Sequence, residues 1–149
     1  KDLIGIPWML AFALRADGWY LRQDIIWNKP NPMPESVKDR CTKSHEYIFL
    51  LSKNQNYYFD VDAIKEPTRR KRSVWNVTKK GYKDAHFAVY PPELIIPCIK
   101  AGSEKNDIIL DPFIGSGTTA MVAKQLGRYY IGCELHEDYG KLIEKRLCE

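Results

Sequence analysis

Asp111-Pro112-Phe113-Ile114-Gly115-Ser116-Gly117-Thr118-Thr119 decides the fold because of what stands on either side of it. Before it, Asp107 to Leu110 is a short apolar run that reads as a strand. After it, Thr118 to Leu126 reads as a helix stopped by Gly127. The glycines between them permit a tight turn and let a ligand approach the backbone closely. Further out, Tyr129 to Cys133 is a second strand. Glu137 to Leu147 is an amphipathic helix with Tyr139, Leu142, Ile143 and Leu147 on one face. Upstream, Pro92 to Ala101 is a helix with proline near its start and Gly102 just past its end. Helix-strand-helix-strand-helix is the alternation of a parallel sheet with helical crossovers. Such sheets bind ligands at their carboxyl edge, where the glycine turn sits. Glu134, seventeen residues after Gly117, ends the second strand, and a carboxylate there can accept hydrogen bonds from both ribose hydroxyls of a nucleoside.

The first half of the chain has another texture. Ile4 to Ala16 is apolar nearly all round and predicts a buried helix, ended by Asp17-Gly18. Trp19 to Trp27 is rich in aromatic and β-branched residues and predicts a strand. In Asn28-Lys29-Pro30-Asn31-Pro32-Met33-Pro34 the prolines forbid helix and central strand, leaving an extended loop. Tyr47 to Leu51 and Tyr57 to Phe59 flank Asn54-Gln55-Asn56 and predict a hairpin. Val74 to Val77 predicts a short strand.

With 149 residues, 44% of them hydrophobic and 28% charged, the chain holds one soluble domain with a real core. Leu3 to Leu14 is too short to span a bilayer, is broken by Pro7 and precedes no small-residue cleavage site, so no membrane segment is expected. Cys41, Cys98, Cys133 and Cys148 form no C-x-x-C pair and have no histidine at ligand spacing, which argues against structural zinc and for reduced thiols in the cytoplasm. The net charge of +4 is unevenly placed: Lys65 to Lys83 carries +7, so the remainder sums to −3. Such concentration fits a polyanion partner, though a solvated loop accounts for it equally well.

Gly115-x-Gly117-x-x-Ala120 with its later acid also fits the dinucleotide fingerprint, which keeps an NAD-dependent oxidoreductase in play. A phosphate-binding P-loop fits worse, because no Lys-Ser/Thr pair follows the glycines. The whole nine-residue string decides between them. It closely resembles the cofactor motif of the DNA amino-methyltransferases that act on N4 of cytosine or N6 of adenine. Tyr130-Ile131-Gly132-Cys133-Glu134 resembles that family's second cofactor motif. Arg72-Ser73-Val74-Trp75 and Ala85-His86-Phe87-Ala88-Val89-Tyr90-Pro91-Pro92-Glu93-Leu94 resemble the segment that precedes the cofactor loop and closes over the methionine end. Gly5-Ile6-Pro7-Trp8, Asp24 to Pro32 and Ser44-His45-Glu46-Tyr47 resemble the stretch that follows the catalytic motif. The order of these pieces matches the group whose catalytic motif comes before its cofactor motif.

The resemblance implies an α/β fold: a Rossmann-like sheet of the S-adenosylmethionine-dependent methyltransferases, mostly parallel, with a β-hairpin at one edge, incomplete in this chain. It implies a single partial methyltransferase domain over 1–149, made of a post-catalytic region (1–62), a basic loop where a target-recognition insertion is short or missing (63–84) and a cofactor-binding half (85–149). S-adenosyl-L-methionine is the implied cofactor, held by Phe87, Pro91, Asp111, Pro112, Phe113, Gly115, Ser116, Gly117, Thr118, Thr119 and Glu134. A sulfonium cation suits Asp111 better than a pyrophosphate would. Double-stranded DNA is the implied partner, tracked by Arg69, Arg70, Lys71, Arg72, Lys79 and Lys80, in a cytoplasmic enzyme of bacterial or phage type.

Two departures qualify this picture. The catalytic string, Asp/Ser/Asn-Pro-Pro-Tyr/Phe/Trp, is absent; Asn31-Pro32-Met33-Pro34 is the nearest imitation, which makes Asn31 the sole catalytic candidate in the chain. The chain opens on Lys1-Asp2 without an initiator Met, so a parent protein is expected to begin upstream. Glu66-Pro67 also runs almost directly into the arginines, without the usual recognition insertion. The expectation is therefore a chain that supplies the cofactor pocket, is inactive alone, and needs the missing N-terminal half or a second copy. A non-catalytic DNA- or cofactor-binding fragment is the alternative. His45, His86 and His136 read as packing or surface residues, and the tryptophans as core, with Trp27 beside the proline loop the one to watch.

Overall fold

The computed structural model describes residues 2–78 and 89–148. It falls into two compact units, one of residues 1–57 and 72–77, the other of 58–71 and 78–149.

The first unit is built on strand β1 (Tyr20–Asn28). On one side β1 pairs antiparallel with β2 (His45–Ser52), from Tyr20 opposite Ser52 to Asn28 opposite His45. On the other side its last three residues pair parallel with β3 (Val74–Asn76). Trp27 and Trp75 stand opposite each other in that ladder, both buried. Burying an indole leaves its N–H in need of an acceptor. Trp27 donates to Val77 O at 2.7 Å and Trp75 to Arg72 O at 2.7 Å, so the two rings tie down the backbone on either side of β3. Helix α1 (Ile6–Ala16) packs Trp8 edge-on against Tyr47 and Phe49 of β2, at centroid distances of 5.2 and 4.9 Å.

Two expectations fail here. No hairpin joins 47–51 to 57–59: β2 takes β1 as its partner, and Tyr57 to Phe59 forms no strand. Asn54-Gln55-Asn56 lacks the glycine that tight hairpin turns favour, while β1 offers eight paired residues against three. Nor is α1 buried. Only Ala11 is enclosed, and Ile6, Met9, Leu10 and Phe12 are each more than half exposed. An all-round apolar helix needs neighbours on every side, and the described residues give it one layer.

The second unit carries the parallel pair β4 (Ile108–Asp111) and β5 (Tyr129–Gly132), in register from Ile108 with Tyr129 to Asp111 with Gly132. Helices α2 (Pro92–Gly102), α3 (Thr118–Gln125) and α4 (Glu137–Cys148) complete it. Ile99, Val122 and Ala123 form its centre, with Ile95, Ile96, Ile109, Met121 and Leu126 packed around them. Arg128 fastens the α3–β5 turn, donating to Leu126 O and Ser103 O at 2.7 Å each. Cys98 donates to Leu94 O, and burial pushes its thiol up to about 11, so it is a packing residue that stays protonated. Strand alternation turns Ile109 to the helices, whereas Ile108 and Leu110 are exposed, as are Tyr129 and Ile131 of β5. Among the described residues, two of the three strand ladders are parallel. No described helix is long and apolar enough to cross a membrane.

Candidate functional site

The glycine loop leaves the carboxyl end of β4 and enters α3. Asp111, the last residue of β4, organises it with both carboxylate oxygens. Oδ1 accepts the Phe113 N–H at 3.0 Å, and Oδ2 accepts the Thr119 hydroxyl at 2.5 Å and the Tyr90 hydroxyl at 3.2 Å. Tyr90 also meets Thr119 Oγ1 at 2.5 Å, so the segment leading into α2, the end of β4 and the first turn of α3 meet in one knot. Burial raises the Tyr90 pKa above its ordinary value; the Thr119 bond opposes that and the Asp111 charge adds to it, so the phenol stays a donor at neutral pH.

Backbone bonds extend the parallel ladder past the strands: Cys133 N–H to Asp111 O at 3.0 Å and Ile114 N–H to Cys133 O at 3.1 Å. Gly117 N–H then closes a turn on Ile114 O at 2.9 Å. Gly115 and Gly117 sit at φ +51° and +83°, where an L side chain is strained. Gly117 is further constrained, because a Cβ there would stand 3.0 Å from Ile143 of α4. The loop's other face is open: Pro112 is exposed, and Phe113 is 88% exposed with its ring unpacked.

Glu134 lies two residues past β5, as Phe113 lies two past β4, at the same carboxyl edge. Its Oε1 accepts the N–H groups of Leu135 and His136, both at 2.9 Å. This pins the side chain just before the start of α4. The structure thus brings together Asp111, Phe113, Gly115, Ser116, Gly117, Thr118, Thr119 and Glu134. Pro91 is buried as the N-cap of α2. Phe87, Lys79, Lys80 and His86 lie outside the described residues.

The basic cluster is less uniform than its sequence. Glu66 and Arg69 exchange backbone bonds across a tight turn, and Arg69 Nε donates to Glu66 Oε2 at 2.6 Å. Arg70 and Arg72 are exposed, and Lys71 is half-buried. In the first unit Lys29 pairs with Glu46 and stands 4.5 Å from the Trp27 ring centre, and Asn28 Nδ2 donates to Asn76 Oδ1 at 2.7 Å. Asn31 follows in the proline loop, exposed. Among the described residues no group of three or more His, Cys, Asp and Glu could hold a metal ion.

Three contributors escape a sequence reading. Tyr90 has no local signal for its bond to Asp111. Gly132 looks like an ordinary strand residue, yet a Cβ there would fall 2.3 Å from Ile114 Cδ1. Arg146 did leave a trace: with Tyr139, Leu142 and Ile143 it continues the spacing of the apolar stripe of α4, a charge at a core position. The residue is 8% exposed, and its guanidinium donates from Nη1 to Ser116 O at 2.8 Å, Ser116 Oγ at 3.0 Å and Thr118 Oγ1 at 3.3 Å.

A family model described as DNA methylase matches residues 4–145. The chain is 55% identical over 152 residues to Type II methyltransferase M.Cfr9I of Citrobacter freundii, covering 99% of this chain and 51% of that protein. The chain spans about half the length of the curated relatives it matches. Among solved structures, an M1.HpyAVI–SAM complex superposes with a TM-score of 0.77 at 28% identity, covering 99% of this chain and 71% of that one. The PvuII DNA methyltransferase, described as cytosine-N4-specific, gives 0.87 at 21% identity over 99% of this chain and 58% of that one, a likeness of fold alone.

Proposed function

Because this chain belongs to the DNA methylase family, whose model accounts for residues 4–145, we propose that it supplies the S-adenosylmethionine pocket of a DNA amino-methyltransferase. The observation that carries the reading is the meeting of Asp111, the Gly115–Gly117 turn, the exposed Phe113 ring and Glu134 at one sheet edge. The residues fit that cofactor. Glu134 keeps an oxygen for the ribose hydroxyls, and Phe113 offers an apolar face to a purine. Asp111 puts negative charge near the methionine end, where the cofactor is cationic. Bound there, S-adenosylmethionine supplies a methyl group on a sulfonium. The loop's own contribution is orientation, which can account for much of a transfer rate when no covalent step is needed.

The acceptor in this reading is the exocyclic amine of adenine or cytosine in double-stranded DNA, rotated out of the duplex. Arg70 and Arg72 reach phosphates from the exposed basic stretch. The tetrapeptide that holds the flipped base is not among these 149 residues, so transfer needs chain beyond them. The two compact units belong to one methyltransferase domain in a cytoplasmic enzyme of the restriction–modification type. Calorimetric titration with S-adenosylhomocysteine, with NADH as the contrast, tests the pocket. The protein should bind the first and not the second, and Glu134→Ala should weaken binding by about 1–3 kcal/mol, the range for lost hydrogen bonds to a charged group. Equal affinity in the variant would remove Glu134 from the site.

A further inference from the structure

We infer that α4 is a clamp on the back of the cofactor loop, with Arg146 as its positioning residue; the inference rests on the proposed pocket for its functional meaning. Ile143 and Arg146 are three residues apart and share one face of the helix. Ile143 closes on Gly117 from the side where any Cβ would collide. Arg146 reaches the residue between the two left-handed glycines and takes both of its oxygens, Ser116 O and Ser116 Oγ, with Thr118 Oγ1 as a third acceptor. Its Nη2 rests 4.0 Å from Met121 Sδ, and Lys124 Nζ donates to Leu147 O at 2.5 Å, so α3 and α4 are joined on both sides of the guanidinium.

A Gly-x-Gly turn has a soft backbone, and fixing it opposes conformational entropy. The ladder bonds from Cys133 hold its entrance and the α3 hydrogen bonds hold its exit. Ser116 lies between these supports, and its carbonyl is held by Arg146. The contacts of the clamp are with the loop itself, at Ser116, Gly117 and Thr118. The clamp sets the loop's shape before a ligand arrives. Geometry explains why a forked cation stands in the apolar stripe. The planar fork lets Nη1 stay on the Ser116 and Thr118 oxygens while Nη2 lies against Met121 Sδ, a span that the compact ammonium of a lysine does not reproduce.

Two readouts on the intact protein test this. Amide hydrogen exchange without ligand reports on the clamp itself. Arg146→Lys should speed exchange in 113–119 while leaving 92–102 unchanged. Titration with S-adenosylhomocysteine reports on its consequence. Arg146→Lys should bind about tenfold more weakly, and Arg146→Ala should lose about ten- to a hundredfold, the scale of hydrogen bonds from a charged donor. Millimolar guanidinium, but not equimolar urea, should restore part of the alanine variant's affinity. Local exchange unchanged in Arg146→Lys overturns the clamp, as does affinity that no guanidinium restores. If the unaltered protein does not bind S-adenosylhomocysteine, the pocket reading fails instead, and the exchange experiment still decides the clamp.

Discussion

Gly132 shows how a single residue fixes the spacing between the loop and the strands. It pairs with Asp111 in the ladder, and its missing side chain leaves the space that Ile114 fills. A Cβ at 132 would lie 2.3 Å from Ile114 Cδ1 and 3.0 Å from Ile114 Cβ and Cγ2, so moving the end of the chain alone cannot relieve the clash. Gly132→Ala should therefore destabilise the protein by about 1–3 kcal/mol, the usual cost of overpacking. Ile114→Ala in the same chain should recover most of the loss. Thermal melts of the two single variants and the double one check this, and additive losses would place the strain elsewhere. Gly115 and Gly117 were legible in sequence because a turn between strand and helix calls for them. Gly132 was not, because its partner is distant in sequence and steric contact leaves no local pattern.

At the scale of elements, the basic stretch divides by conformation. Arg69 answers Glu66 inside its own turn, so in the proposed reading the phosphates fall to the exposed Arg70 and Arg72. Each cation withdrawn from a phosphate should flatten the dependence of log affinity on log salt by about 0.9. Arg70→Ala with Arg72→Ala should reduce the slope on duplex DNA by nearly twice that, and Arg69→Ala by less than a single cation's share. Fluorescence anisotropy across a salt series measures it, and three equal effects would show that the Glu66 pair opens on DNA. Helix and strand positions in the second unit were legible because β4, α3, β5 and α4 are short, local and punctuated by Gly115, Gly127 and the Glu134–His136 turn. The partner of β2 was not. Adjacency in sequence pointed to Tyr57–Phe59, but ladder length favoured β1, whose end at Asn28 is separated from His45 by the whole proline loop.

For the molecule as a whole, the bare surfaces matter most. One face of α1 and the outward residues of β4 and β5 are apolar and exposed, and the β4–β5 pair has no third strand among the described residues. Open strand edges and apolar faces of this kind take up further structure. The chain alone should therefore transfer no methyl group from tritiated cofactor to mixed-sequence DNA. Adding a polypeptide that carries the upstream half of a relative such as M.Cfr9I should raise its melting temperature and allow transfer. Turnover by the chain alone would move the catalytic residues into these 149 positions, with Asn31 the first to replace.

The sequence by itself determined the family and the strand–loop–helix order around Asp111–Thr119, because glycine turns, apolar periodicity and the nine-residue string are local properties of the chain. Only the tertiary structure decided which side chains secure that loop. Tyr90 on Asp111, Ile114 against Gly132 and Arg146 under Ser116 join residues 18 to 30 positions apart. Such contacts come from packing α2, α3 and α4 around one sheet edge, and no one-dimensional spacing encodes the meeting of two surfaces.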